Sequence, residues 1–338
     1  NVLLGLGPLR ITTLQGLAIA ILVFLTWWNT RGLRYGATLQ NVFTITKTGA
    51  LLGLILLGLL LGSRSGAGAA NLEIFWPANL GWWEGLRLVG VATVGSLFAS
   101  DAWYNVTFTG EEVRNPKRNL PLALTIGVLS VSALYLATNW VYLQVLPFEA
   151  IQHAPADRVG TAAAEVLLGP VARQVMAIAI MISTFGCING LLLAGARVYY
   201  AMSLDGLFFR AVSKLNRRTA SPNASLVVQC IWASLLCLSG TYNDLLDYVI
   251  FAVLLFYAAT TSALFVLRRK RPEMERPYKA IGYPFIPAFY TVCAVAISLL
   301  LLVYKPRFTW PGLGLVLLGI PVYYLWKRQR GRGSAARG

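Results

Sequence analysis

The chain has 338 residues, 57% of them hydrophobic and only 12% charged, about half of the roughly 25% charged share usual in globular proteins. So few polar groups cannot cover a water-soluble fold, which excludes an ordinary soluble enzyme, a disordered tail and a secreted disulfide scaffold and leaves a bilayer as the solvent. The formal net charge of +16 would suggest nucleic acid, but the 29 Lys and Arg residues cluster between apolar segments, as in membrane loops, and form no phosphate-tracking face.

Nine runs are long enough, at about 17 to 25 residues each, to cross a bilayer as helices. In chain order they are Ile11 to Trp28, Phe43 to Leu61, Leu86 to Thr109, Leu122 to Leu143, Val175 to Tyr199, Asn223 to Ser239, Leu245 to Leu267, Phe285 to Val303 and Trp310 to Trp326. If the loop after the first span is cytoplasmic, 22 basic residues lie inside and 7 outside, a bias that sets the orientation. The basic tail, residues 327–338, is then cytoplasmic, and residues 1–338 form one membrane domain with no soluble domain attached. Asn1 falls outside on this count, and nothing before the first span would export it, so an odd number of preceding spans is expected to be missing.

In the second span Lys47 lies several residues from the inner end, where its ammonium either snorkels to the interface or points into the bundle. Gly58, about three turns on, shares its face and suggests close helix contact there. The third span is a poor helix interior around Gly95, Ser96, Ser100 and Asp101, because Ser and Asp compete for backbone hydrogen bonds and prefer caps. A break near Ala99 to Asp101 is expected, with Ser100 or Asp101 capping a second half-helix from Ala102. Such a discontinuity frees backbone groups for a polar solute, the device secondary transporters use. Asp101 is then either a carboxylate for a substrate ammonium or proton, or an N-cap. In the fifth span Ser183, Gly186 and Gly190, with Asn189 adjacent, form a small polar stripe that either packs helices or lines a solute path.

No nucleophile with a base, metal spacing or phosphate-cradling glycine loop is present, so an enzyme is disfavoured and no metal or cofactor is expected. The cysteines, Cys187, Cys230, Cys237 and Cys293, all lie in apolar runs and read as core filling.

Leu97-Phe-Ala-Ser-Asp-Ala-Trp103, followed by Glu111-Glu-Val-Arg-Asn-Pro-Lys-Arg-Asn-Leu-Pro121, resembles the sixth helix and following loop of amino acid permeases of the amino acid-polyamine-organocation superfamily, closest to the L-type branch and its bacterial relatives. Asn29-Thr-Arg-Gly32, Gln40 to Lys47, Phe185-Gly-Cys-Ile-Asn-Gly190, Arg197 to Ser203 with Asp205-Gly206, and Arg276-Pro-Tyr-Lys279 continue the match in order along the chain. The resemblance implies an all-α polytopic membrane protein with an incomplete inverted-repeat fold, its nine spans corresponding to helices four to twelve and the first three helices missing. It implies a secondary active amino acid transporter of a bacterial inner membrane, working by sodium-independent exchange or proton-linked antiport.

By the same resemblance Phe98 is an aromatic gate above the substrate, Ala99, Ser100, Asp101 and Ala102 are the unwound substrate-binding stretch, and Lys47 occupies the place of a sodium ion in sodium-coupled relatives. Ser183, Gly186, Asn189 and Gly190 are candidates to line the path. L-type members usually carry Gly where Asp101 stands and Asn where Tyr104 stands, so a polyamine or basic amino acid antiporter is the alternative. Leu204 also replaces the usual Arg of the inner Ser-Arg-Asp-Gly turn. A degenerate, non-transporting membrane sensor or scaffold is a reading from another class. The partners implied are an amino acid or polyamine and the lipid bilayer, without nucleic acid; a homo-oligomer or an accessory subunit stays open.

Overall fold

The computed structural model describes residues 2–6, 9–62, 66–73, 80–239, 242–276, 278–304 and 306–335. The chain begins with a short antiparallel hairpin of β1 (Val2–Leu6) and β2 (Leu9–Thr12), the only strands among the described residues. Ile11, expected to open the first span, therefore belongs to β2, and α1 (Thr13–Thr30) starts just after it. A capping box sets that boundary. The Thr12 hydroxyl accepts from the Gln15 N–H at 3.3 Å, while the Gln15 side-chain oxygen accepts from the Thr12 N–H at 2.9 Å, so two otherwise unpartnered amides are satisfied and the helix cannot usefully extend backwards.

After α1 come α2 (Leu33–Leu61), α3 (Ala67–Glu73), α4 (Trp82–Ala99), α5 (Pro116–Val145), α6 (Phe148–Gln152), α7 (Val159–Leu168), α8 (Val171–Leu204), α9 (Asn223–Ser239), α10 (Tyr242–Lys270), α11 (Phe285–Tyr304) and α12 (Pro306–Ala335). Each expected span overlaps one of α1, α2, α4, α5, α8, α9, α10, α11 and α12, the third only as far as Ala99. Among the described residues seven of these are long and apolar enough to cross a membrane, and α4 and α9 are not among the seven. The first carries Glu84 and Arg87 near its start and ends early at Ala99, and the second has 17 residues. Large apolar side chains such as Leu136 and Phe289 are 74% and 72% exposed, an arrangement that requires hydrocarbon around the helices. The molecule is an all-α, multi-pass integral membrane protein.

Two groups of helices hold separate cores. Leu25, Leu192, Ala196 and Leu226 join α1, α8 and α9, and Ile55, Val141, Val145 and Ala163 join α2, α5 and α7. On the other side Phe251, Leu254 and Leu301 join α10 to α11, with Leu313 of α12 against them, and α4 packs on α10 and α11. A 3₁₀ segment, Asn105–Glu112, leads from the end of α4 across to α5 and α8, so α4 is tied to both groups. Lys117 at the start of α5 pairs with Glu275 beyond α10, and the ammonium holds that carboxyl below the usual carboxylate range.

Polar residues bind the first group further. Asn189 of α8 is fully buried; its amide donates to the Gly36 carbonyl at 3.1 Å and to the Gln40 side-chain oxygen at 3.0 Å, and its own oxygen accepts from Asn29 of α1 at 2.8 Å. Asn71 of α3 donates to the carbonyls of Leu143 and Leu146 at 2.7 and 2.8 Å and accepts from the Phe148 N–H at 2.9 Å, which satisfies the end of α5. The face expected around Gly58 does point into the bundle: a Cβ built there would stand 2.1 Å from a Val141 methyl. Gly58→Ala should therefore lower stability by about 1–3 kcal/mol through overpacking, and Val141→Ala should restore part of it. Gly127→Ala on α5, where a Cβ meets nothing within 4 Å, is the matched control and should be neutral or stabilising. Thermal unfolding in one detergent checks all three.

Candidate functional site

The helical ladder of α4 ends where expected. The Ser100 N–H makes the last helical bond, to the Ser96 carbonyl at 3.0 Å, and Ala102 then takes a left-handed backbone with φ of 65°, which L side chains adopt at a cost of about 1–3 kcal/mol. Beyond Ala102 the path departs from expectation. No half-helix starts there; turns run to Tyr104, and the Asn105–Glu112 segment is 3₁₀, with Tyr104 at its cap position and no side-chain cap. Asp101 is thus three residues too early to cap that segment. Its carboxylate instead accepts the Tyr257 hydroxyl of α10 at 2.5 Å, the short distance of a charge-assisted O–H···O⁻ bond.

Other helices complete the surroundings. The Ala99 carbonyl, one of those left open at the end of α4, accepts the Tyr135 hydroxyl of α5 at 2.9 Å. Tyr104 stands edge-on to Tyr257 at 5.2 Å between ring centroids, Trp103 is 6.3 Å from Tyr257, and Tyr290 of α11 lies 6.5 Å from it. The 3₁₀ segment that follows the break packs on α8, the helix that carries Ser183. The break is therefore bordered by α5, α8, α10 and α11. Cys187 is exposed and only Cys230 is buried, so core filling describes the cysteines unevenly.

Of the other predicted site residues, Ala99 and Ser100 are exposed, while Asp101 and Ala102 are half-buried. Phe98 is in α4, and its side chain lies outside the described residues. Gly186 is buried where a Cβ would come 2.8 Å from Phe43, Gly190 borders Gln40, and Asn189 is taken up by its buried network, so these three lie in the α2–α8 interface. Phe43 opposite Gly186 and Gln40 opposite Gly190 fix an antiparallel register that brings Lys47 level with Ser183. Lys47 is half-buried and forms no hydrogen bond or ion pair with another described residue.

Sequence reasoning missed the tyrosines. Their signal was position: Tyr135 and Tyr257 each place a hydroxyl within an apolar run, where it needs an acceptor. Tyr257→Phe should cost about 1.5–3 kcal/mol of stability by leaving the carboxylate without its donor. In a double-mutant cycle with Asp101→Asn the two losses should be clearly less than additive; strict additivity would show that hydroxyl and carboxylate do not interact.

The amino acid permease family model matches residues 6–322. Over 313 residues the chain is 30% identical to the human b(0,+)-type amino acid transporter 1, which covers 92% of this chain and 62% of that protein. It is 29% identical over 319 residues to the mouse large neutral amino acids transporter small subunit 2, covering 92% of this chain and 57% of that protein. Against the serine/threonine exchanger SteT of Bacillus subtilis (strain 168) identity is 29% over 320 residues, with 93% and 70% covered. The chain thus spans about three fifths of the length of the two mammalian relatives. With the match running from the hairpin to the last helix, and with a broken α4 among packed spans, the chain belongs to the amino acid permease family.

Proposed function

We propose that the protein carries amino acids across a membrane by secondary active transport, as a sodium-independent exchanger or proton-linked antiporter rather than as an enzyme. The observation that carries this reading is the break in α4, which leaves non-helical backbone and a carboxylate at residues 100–104 among four neighbouring helices. Irregular backbone within a bundle is tolerated where it lines a cavity or is buried in protein, and secondary transporters bind substrate at such places. The names of the relatives, two amino acid transporters and a serine/threonine exchanger, support the same class.

In this reading Ala99, Ser100, Asp101 and Ala102 contact the substrate, Phe98 closes one side, and Ser183 with the Gly186, Asn189 and Gly190 face borders the path. Lys47 supplies a fixed positive charge where coupled relatives hold sodium. Transport would proceed by rocking α4 with its partners against the remaining helices. The charge bias supports a cytoplasmic C-terminus, and an inner bacterial membrane is the proposed location. A second reading, transport of basic amino acids or polyamines, is favoured by Asp101, since an acid at the break would pair with a substrate ammonium.

The test is exchange of labelled amino acids in liposomes by the full-length protein. Exchange without a sodium gradient is expected, and strict sodium dependence would refute the role given to Lys47. Asp101→Asn should abolish uptake of arginine, lysine or polyamines while neutral amino acids persist; equal loss for every substrate would reduce Asp101 to its structural bond with Tyr257.

A further inference from the structure

We propose that the seam between the α1–α2 turn and the loop from α8 to α9 is a binding site for the headgroups of anionic phospholipids. This inference is independent of the transport reading. The seam is built by direct contact: the Ser221 hydroxyl donates to the Asn29 carbonyl at 3.1 Å, and Thr219 lies 3.6 Å from where a Cβ on Gly32 would be. It brings Arg31 and Arg34 from one segment together with Lys214, Arg217 and Arg218 from the other, all five exposed.

None of these cations has an acidic partner among the described residues, and the sequence explains why. Residues 1–72 contain no Asp or Glu, and neither do residues 206–243. Of the flanking acids, Glu112 is held by Arg197 at 3.2 Å, and Asp205 has contacts of its own. Five positive charges gathered without counter-charge repel one another unless an external anion is present, because exposed charges interact strongly within a screening length of about 10 Å.

Two further observations give the anion its chemistry. The loop is rigid: the Asn216 side chain accepts from the Arg218 and Thr219 N–H groups at 2.9 and 3.3 Å, and its backbone pairs with Ala220 and Ser221, so Arg217 and Arg218 project from a closed turn. The seam also sits at the depth of lipid headgroups. It lies where α1 ends, α2 begins and α9 begins, and beside it Arg31 stacks 4.0 Å over the exposed ring of Trp27 while the Trp28 indole donates to the Tyr35 carbonyl at 3.2 Å. Trp and Tyr at span ends mark the membrane–water interface, and guanidinium groups match phosphate oxygens in bidentate fashion. A phosphate ester tethered in the membrane meets every one of these features; a soluble anion would have no use for the aromatic depth marker.

The experiment measures lipid binding to the purified protein in a neutral detergent, by native mass spectrometry and by the thermal unfolding midpoint, with phosphatidylglycerol and phosphatidylcholine titrated separately. Phosphatidylglycerol should bind and raise the midpoint, and phosphatidylcholine should not. Replacing Arg34, Arg217 and Arg218 by Gln should weaken phosphatidylglycerol binding by roughly tenfold or more, whereas replacing them by Lys should give an intermediate loss, because the charge stays and the bidentate contact goes. Removing as many charges elsewhere, with Arg269→Gln, Lys270→Gln and Arg271→Gln at the end of α10, should change little. Equal loss in the two Gln triples would show a diffuse charge effect and overturn the proposal. So would equal stabilisation by inorganic phosphate or by phosphatidylcholine, or tighter binding of polyglutamate, which would indicate an acidic protein partner. Should the Gln triple fail to fold, Arg217→Gln and Arg218→Gln singly, on the exposed turn, supply the same comparison.

Discussion

A backbone amide or carbonyl carried into hydrocarbon has no water to bond, and leaving one unpaired costs several kcal/mol. The organisation of this protein depends on where that demand is met locally by helix and where it is met by another element. At the end of α4 the ladder stops between helices of the two groups, and partners come from elsewhere: Tyr135 of α5 takes the Ala99 carbonyl and Tyr257 of α10 takes the Asp101 carboxylate. At the end of α5 the same service comes from Asn71. The break is thus held from two sides, by helices that belong to different packing groups.

The two groups of helices cohere by different means. Between helices in lipid there is little hydrophobic driving force, because the tails are as apolar as the side chains, so close packing and polar links carry the association. The group of α1, α2 and α8 uses both, with Gly186 letting Phe43 in and Asn189 joining three helices; each interhelical bond is worth about 0.6–2 kcal/mol in such settings. The group of α10 to α12 is held around Phe251, Leu254 and Leu301. A fully satisfied polar network has one well-defined geometry.

Much of this was legible in the residues. The apolar helices, the stop in α4 near Ala99 and the inward face at Gly58 all come from local terms: hydrophobic length, the poor fit of Ser and Asp inside a helix, and the small size of glycine. The boundary at Thr12 was misplaced because Ile11 is as apolar as the helix it precedes, and only the capping box with Gln15 separates them. The role of Asp101 was read from capping chemistry along the chain, but its partner Tyr257 lies 156 residues away. No local pattern specifies such a pairing.

The same division runs through the whole molecule. Sequence by itself determined the solvent, the positions of the apolar helices and the point at which α4 cannot remain helical, because each depends on transfer free energies and backbone preferences summed over neighbouring residues. Tertiary structure alone decided that Asp101 is bonded rather than capping, that Asn189 is locked between α1 and α2, and that Arg31 and Arg34 come beside Arg217 and Arg218. These depend on which distant helices face one another, and that is settled by mutual fit of side chains across the bundle, not by any term a single segment carries.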